Sequence, residues 1–127
     1  MTITLTQQES ENLFFDALCN GLYELRYYNL YLNFDDEEYK SSKEKLKASN
    51  QNLCYEDVLM QMLRDGYKLE IIDYNGDESH YITLDLVHER VAKTPTRHLM
   101  DAINESGDAI TADCILQTVI YEEVIYG

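Results

Sequence analysis

The sequence contains no tryptophan and a single proline, Pro95. Its five glycines, at positions 21, 66, 76, 107 and 127, are too scattered to build a phosphate-cradling loop. With hydrophobic residues at 45%, a disordered or collagen-like chain is excluded. Long apolar runs are also missing. Stretches such as Cys114-Ile115-Leu116 and Val119-Ile120-Tyr121 fall far short of the roughly 18 residues a membrane span requires. The opening MTITLTQQESEN has neither the basic leader nor the apolar core of a signal peptide, so the cytosol is the expected location. Cysteine is sparse as well. Cys19, Cys54 and Cys114 are odd in number and widely spaced, which predicts reduced thiols with at least two of them buried as small apolar residues.

Basic residues are the most telling shortage. Ten Lys and Arg face 24 Asp and Glu, for a formal charge of −14. Phosphate affinity depends on Lys and Arg neutralising the backbone, so direct nucleic-acid binding is disfavoured. The one dense basic run, Lys40, Lys43, Lys45 and Lys47, is outnumbered by Asp35, Asp36, Glu37, Glu38 and Glu44 in the same segment. Residues 48–127 hold fifteen acids and five bases.

At 127 residues the chain reads as one globular domain, 1–127, long enough to fold around its own core. Thr6 and Glu9 have the spacing of a capping box, and Leu13, Phe14, Ala17, Leu18 and Leu22 follow at helical spacing, predicting a helix over 7–20. Leu30, Leu32 and Phe34 alternate with Tyr31 and Asn33 at strand period. Asp35 is placed to cap a charged, peripheral helix with acids first and lysines last. SNQN at 49–52 reads as a loop. Tyr55, Val58, Leu59, Met62 and Leu63 mark a helix ending at Gly66.

Residues 67–84 read as a hairpin turning at Asn75-Gly76. A two-residue loop pairs Ile71 with His80. A four-residue loop pairs Leu69 with Leu84 and Ile71 with Ile82, and is preferred because it matches apolar with apolar. Either way Leu69, Ile71, Ile82 and Leu84 face inward, and Glu70, Ile72, Tyr74 and Tyr81 face outward. Beyond it, Thr83 caps a helix, Thr94-Pro95 starts another with Thr as cap and Pro as first residue, and Gly107-Asp108 precedes a last helix over 109–119. YEEVIYG is too short for periodicity to separate a terminal strand from a continuing helix. The expected fold class is α+β, with five or six helices packed around a small antiparallel sheet whose central hairpin lies at about 67–84.

Few constellations carry chemistry. LVHERV and RHLMD place histidines and acids three apart, yet HERVA lacks the second histidine of a zinc-binding HExxH, so His88 and His98 read as exposed or capping. DYNGDE at 73–78 lacks the spacing of an EF-hand. No serine or cysteine sits in a nucleophile context. No metal, no cofactor and no enzymatic activity is therefore expected.

The tyrosines are more informative, numbering eleven against three phenylalanines. Tyr23, Tyr27, Tyr28 and Tyr31 gather around one expected strand, and Tyr74 and Tyr81 share the outer side of the hairpin. Tyrosine is an amphipathic anchor enriched at interfaces; it also simply covers half-exposed sheets. Carboxylates near such anchors suit a basic protein partner, because a row of them can stand in for phosphates; acidity also simply keeps a protein soluble. The candidate partner-binding residues are Asp35, Asp36, Glu37 and Glu38, Asp73, Asp77 and Glu78 at the hairpin tip, and Tyr28, Tyr31, Tyr74 and Tyr81.

The segment CYEDVLMQMLRDG, followed by ITLDLVHERVAKTPTRHLMDAINESGDAITADCILQTVIYEEVIYG, resembles small acidic bacteriophage-encoded proteins of unassigned function over residues 54–127. That resemblance brings no catalytic motif. It implies a phage inhibitor that binds a host nucleic-acid-handling or defence protein, such as a CRISPR or restriction nuclease; the charge balance and the short apolar runs, for their part, predict no direct contact with nucleic acid or membrane. A nucleotide-signal sponge, oligomeric and small-ligand binding, is the main alternative, and it requires Arg26, Arg64, Arg90 or Arg97 to converge in a pocket. A structural or assembly accessory with a large apolar self-interface is the other.

Overall fold

A capping box opens the first helix. Thr6 Oγ1 accepts the Glu9 amide while Glu9 Oε1 accepts the Thr6 amide. The computed structural model describes residues 3–49 and 53–127. Helix α1 (Gln7–Gly21) buries Leu13, Phe14, Ala17 and Leu18. At Gly21 the chain tightens into a 3-10 helix, Leu22–Tyr28, that ends on Asn29 in the left-handed conformation (φ 61°). Tyr23, Tyr27 and Tyr28 therefore lie on this helix rather than around the strand, which is shorter than its tyrosine surroundings suggested: β1 is Leu30–Asn33.

Asp35 Oδ1 accepts the amides of Glu37 and Glu38 and so starts α2 (Asp36–Lys47). This helix is peripheral, as its thin apolar stripe implies, and Ser42 is its one buried residue. It is tied down by Asp65, just past α3 (Tyr55–Arg64), whose carboxylate accepts Ser42 Oγ at 2.7 Å and lies 3.2 Å from Lys45 Nζ. Of the expected loop at 49–52, residues 50–52 lie outside the described residues.

Strands β2 (Leu69–Asp73) and β3 (Glu78–Ile82) complete an antiparallel sheet in the order β1-β2-β3. The hairpin is central, as expected, but its register is the rejected one: Ile71 opposes His80 and Leu69 opposes Ile82. Leu84 does not extend the strand. It opens α4 (Leu84–Arg90), because Thr83 Oγ1 accepts the Leu86 amide and turns the chain into a helix there. Apolar matching misled here because the helix claimed the residue it needed. The turn occupies residues 74–77, with Asp77 at φ 52°.

A second 3-10 turn, Val91–Lys93, leads to α5 (Thr96–Ile103). Pro95 occupies the cap position and the buried Thr94 hydroxyl makes no hydrogen bond, one residue off the expected Thr cap. Asp108 Oδ1 accepts the Thr111 amide and starts α6 (Ala109–Tyr121). The last residues form neither strand nor helix. Glu122 turns left-handed (φ 68°), and the chain runs back along α6. The fold is thus α+β: among the described residues six α-helices stand against a three-stranded sheet, and no helix is long and apolar enough to cross a membrane.

The core lies on one side of the sheet. Leu30, Leu69, Ile71 and Ile82 pack with Phe14, Leu59, Met62, Leu63, Val87, Leu99, Ile115, Leu116 and Val119. Each such side chain stabilises the fold by roughly 1.5–3 kcal/mol relative to exposure. Helix α6 packs tightly against α1 at Gly21, where an added Cβ would sit 2.9 Å from Ala112 Cβ. Gly21→Ala should therefore cost about 1–3 kcal/mol by overpacking, read as a lowered thermal midpoint. An unchanged midpoint would mean the helices separate freely there.

The cysteine expectation needs correction. All three thiols are free, but only Cys114 is buried; Cys19 and Cys54 are exposed. Cys54 sits just ahead of α3, where its backbone and thiol face the Asp57 carboxylate instead of the core.

Candidate protein-docking face

One side of the sheet carries no core. Alternation places Tyr31 and Asn33 of β1, Glu70 and Ile72 of β2, and Ser79 and Tyr81 of β3 on this outer side, with Tyr74 beside it at the turn. Tyr31, Tyr74 and Tyr81 remain 46%, 57% and 45% exposed. Tyr31 and Tyr74 meet edge to face with ring centroids 5.5 Å apart. Lys68 Nζ lies 4.3 Å from the centre of the Tyr81 ring, and the Arg26 guanidinium lies 4.7 Å from that of Tyr23.

Glu70 stands among these rings. Its two carboxylate oxygens accept Asn33 Nδ2 at 2.8 Å and Ser79 Oγ at 2.7 Å. Those hydrogen bonds, Asn33 first, hold its carboxyl below the usual range. Sequence alternation put Glu70 on this side but did not single it out. In the preferred register it would oppose Thr83; in the observed one it opposes Tyr81 and neighbours Ser79.

The acidic residues bracket the face. Asp35, Asp36 and Glu37 are exposed and Glu38 half-buried at one end; Asp77 is exposed at the hairpin tip. Glu78 is exposed as well, but alternation sets it on the opposite side of the sheet from the tyrosines, with Asp73, where it lies 3.3 Å from His80. Glu78 lies in line with Asp73 and Leu30 across the sheet, and from Leu30 to Asp35 the chain runs five residues, roughly 17 Å if extended. The two groups thus form separate ends, with tyrosines between them, rather than one patch.

Asp73 does not belong to that surface. Only 4% exposed, it accepts the hydroxyls of Tyr121 and Tyr126 at 2.7 Å each and the Asn75 amide at 2.9 Å. Tyr28 is drawn inward too: its hydroxyl donates to Asp113 at 2.7 Å and its ring stacks on Tyr126. That bond to a carboxylate pushes the phenol up to about 12. Both belong to a buried polar network completed by Gln117, which bridges Asp113 to the chain end. His88 is likewise neither exposed nor capping. Its Nε2 lies 2.8 Å from Glu11 Oε2, beside Arg64 on the other Glu11 oxygen.

Two concavities flank the sheet and helices. A cleft of about 160 Å³ is lined by Leu22, Leu25, Leu30 and Leu32 with Tyr23, Tyr31 and Tyr55, and holds Arg26 as its single charge. A second, of about 260 Å³ between α1 and α6, carries Asp16, Glu105 and Asp108 and no basic residue. The four arginines do not converge. Arg64 pairs with Glu11, Arg90 with the Val119 and Ile120 carbonyls and Glu122, Arg26 rests on Tyr23, and Arg97 lines neither cavity. Among the described residues no group of three or more His, Cys, Asp or Glu side chains is gathered to hold a metal ion.

Comparison of the chain with protein-family models, with curated proteins and with solved structures finds no match.

Proposed function

We propose that this chain is a non-catalytic binding protein that docks on a basic surface of a host nucleic-acid-handling protein and keeps nucleic acid from it. One observation carries the proposal: a sheet face of half-exposed tyrosines that no described element covers, with the exposed carboxylates of Asp35, Asp36 and Glu37 at one end and Asp77 at the other. Rigid tyrosines supply contact area at low entropic cost, and carboxylates at either end steer a cationic partner onto them. The resemblance of residues 54–127 to acidic phage proteins favours an inhibitor of a defence nuclease as that partner's adversary. The dispersed arginines and the acid-lined second cavity speak against a sponge for an anionic nucleotide.

The test is a charge variant, Asp35→Ser, Asp36→Asn, Glu37→Gln and Glu38→Gln together, compared with the parent on a partner isolated by affinity capture from host cells. Serine keeps the helix cap, so the fold should persist. Association should slow about tenfold at low salt, with the gap closing as salt screens the charges. The partner should also regain nucleic-acid binding in competition. Equal inhibition by parent and variant at both low and high salt would remove this end of the face from the mechanism.

A further inference from the structure

We infer that the Tyr31–Tyr74 pair is a receptor for an arginine side chain of the partner, with the Glu70 carboxylate as the fixed counter-charge on the same face. The inference rests on the docking proposal and names the chemistry of its contact.

Cations already occupy the neighbouring tyrosines. Lys68 covers Tyr81 and Arg26 covers Tyr23, and neither forms an ion pair with a carboxylate among the described residues. In a chain with 24 acids, two of ten bases are thus held by rings. Tyr31 and Tyr74 present rings of the same kind, about half exposed and propped edge to face against each other, with no cation upon them among the described residues. Propping matters, because a ring held by its neighbour loses little freedom when a ligand stacks on it.

Charge complementarity sets the occupant. Glu70 is locked in place by Asn33 and Ser79; Lys68 and Tyr81 also act on its charge, yet Lys68 forms no ion pair with it, and a carboxylate with about four lone-pair sites still has room for a further donor. A planar guanidinium can lie on a ring and still direct its N–H groups sideways to a carboxylate. An ammonium is more strongly hydrated and offers no flat face. Arginine therefore fits this surface better than lysine of equal charge.

Octa-arginine and octa-lysine peptides test this at physiological salt, with binding measured by titration calorimetry on the whole chain. The parent should bind octa-arginine several-fold more tightly. Tyr31→Leu with Tyr74→Leu should weaken octa-arginine about threefold to tenfold, the range of one or two exposed cation–π contacts, and leave octa-lysine within about twofold. Tyr31→Phe with Tyr74→Phe should retain the preference, and serves as the second variant if the leucine pair unfolds. Equal affinity of the parent for the two peptides, or a preference that survives loss of both rings, overturns the inference. The four-residue acidic variant separates the two proposals. It should weaken both peptides alike. If it weakens both while arginine and lysine are indistinguishable on the parent, the docking proposal stands and the arginine receptor falls. If the arginine preference persists and neither peptide responds to the acids, the receptor stands and the steering role of those acids falls.

Discussion

Replacing Gln117 with leucine should lower the unfolding free energy by roughly 3 kcal/mol and free the chain after Tyr121. Gln117 is fully buried, and its amide reaches in both directions. Nε2 donates to Asp113 at 2.8 Å and to the Tyr126 carbonyl at 3.0 Å, while Oε1 accepts the Ile125 and Tyr126 amides at 2.9 and 2.8 Å. Four bonds from one side chain replace the secondary structure that this segment lacks. Leucine matches the volume but leaves two backbone amides and a buried carboxylate short of partners, the costly case for a polar group away from water. Chemical denaturation gives the loss, and hydrogen exchange at Tyr126 gives the release. If exchange there is unchanged, Gln117 is not what holds the chain end.

Asp73→Asn should cost roughly 2–4 kcal/mol at neutral pH, and the deficit should shrink in acid. Burial pushes the Asp73 carboxyl up, but the hydrogen bonds from Tyr126, Tyr121 and Asn75 outweigh it and leave it below the usual range. A depressed folded value means that the stabilisation is complete above the unfolded carboxylate range, near about pH 4, and is lost as pH falls through the lower folded value. Glu11 and Asp65 act with the same sign: burial raises each, and hydrogen bonds from Arg64 and His88, or from Ser42, Gln61 and Lys45, more than offset it. Asparagine at 73 has no charge to lose and only one acceptor oxygen, so it cannot serve both the two phenols on Oδ2 and the Asn75 amides on Oδ1. Urea unfolding from about pH 7 down to about pH 3 should show the parent and variant curves converging. Parallel curves would mean that Asp73 is not the group whose titration matters.

Local chemistry was legible in the sequence at three of the expected caps. Thr6 with Glu9, Asp35 and Thr83 announce helix starts by offering an oxygen to an amide two or three positions on, and all three do so, whereas Thr94 leaves the cap position to Pro95. The hairpin and its facing were legible because alternation survives a shift of two residues. Its register was not, since apolar matching could not see that Leu84 belongs to a helix. What escaped entirely was pairing across the chain. Asp73 opens a turn sequence, DYNGDE, that reads as solvated; its burial depends on Tyr121 and Tyr126, 48 and 53 residues later. Glu11 follows the same rule, as an acid in the first turns of a helix looks exposed until His88 arrives from 77 positions away. On the candidate face, Tyr31, Tyr74 and Tyr81 were recoverable from period and composition, whereas Tyr28 was lost to Asp113 and Glu70 emerged only with the correct strand pairing.

The polar ties also bear on how the chain reaches this state. Six helices would suggest rapid assembly from local contacts. Yet the bonds that close the interior join Tyr28 to Asp113, Glu11 to His88 and Asp73 to Tyr126, spanning 85, 77 and 53 residues. None can form until distant segments have met, so loop-closure entropy opposes them before any enthalpy is returned. The barrier to folding then lies in bringing the sheet, the first helix and the last helix together, and a fragment lacking either end can hold helices without holding a fixed interior.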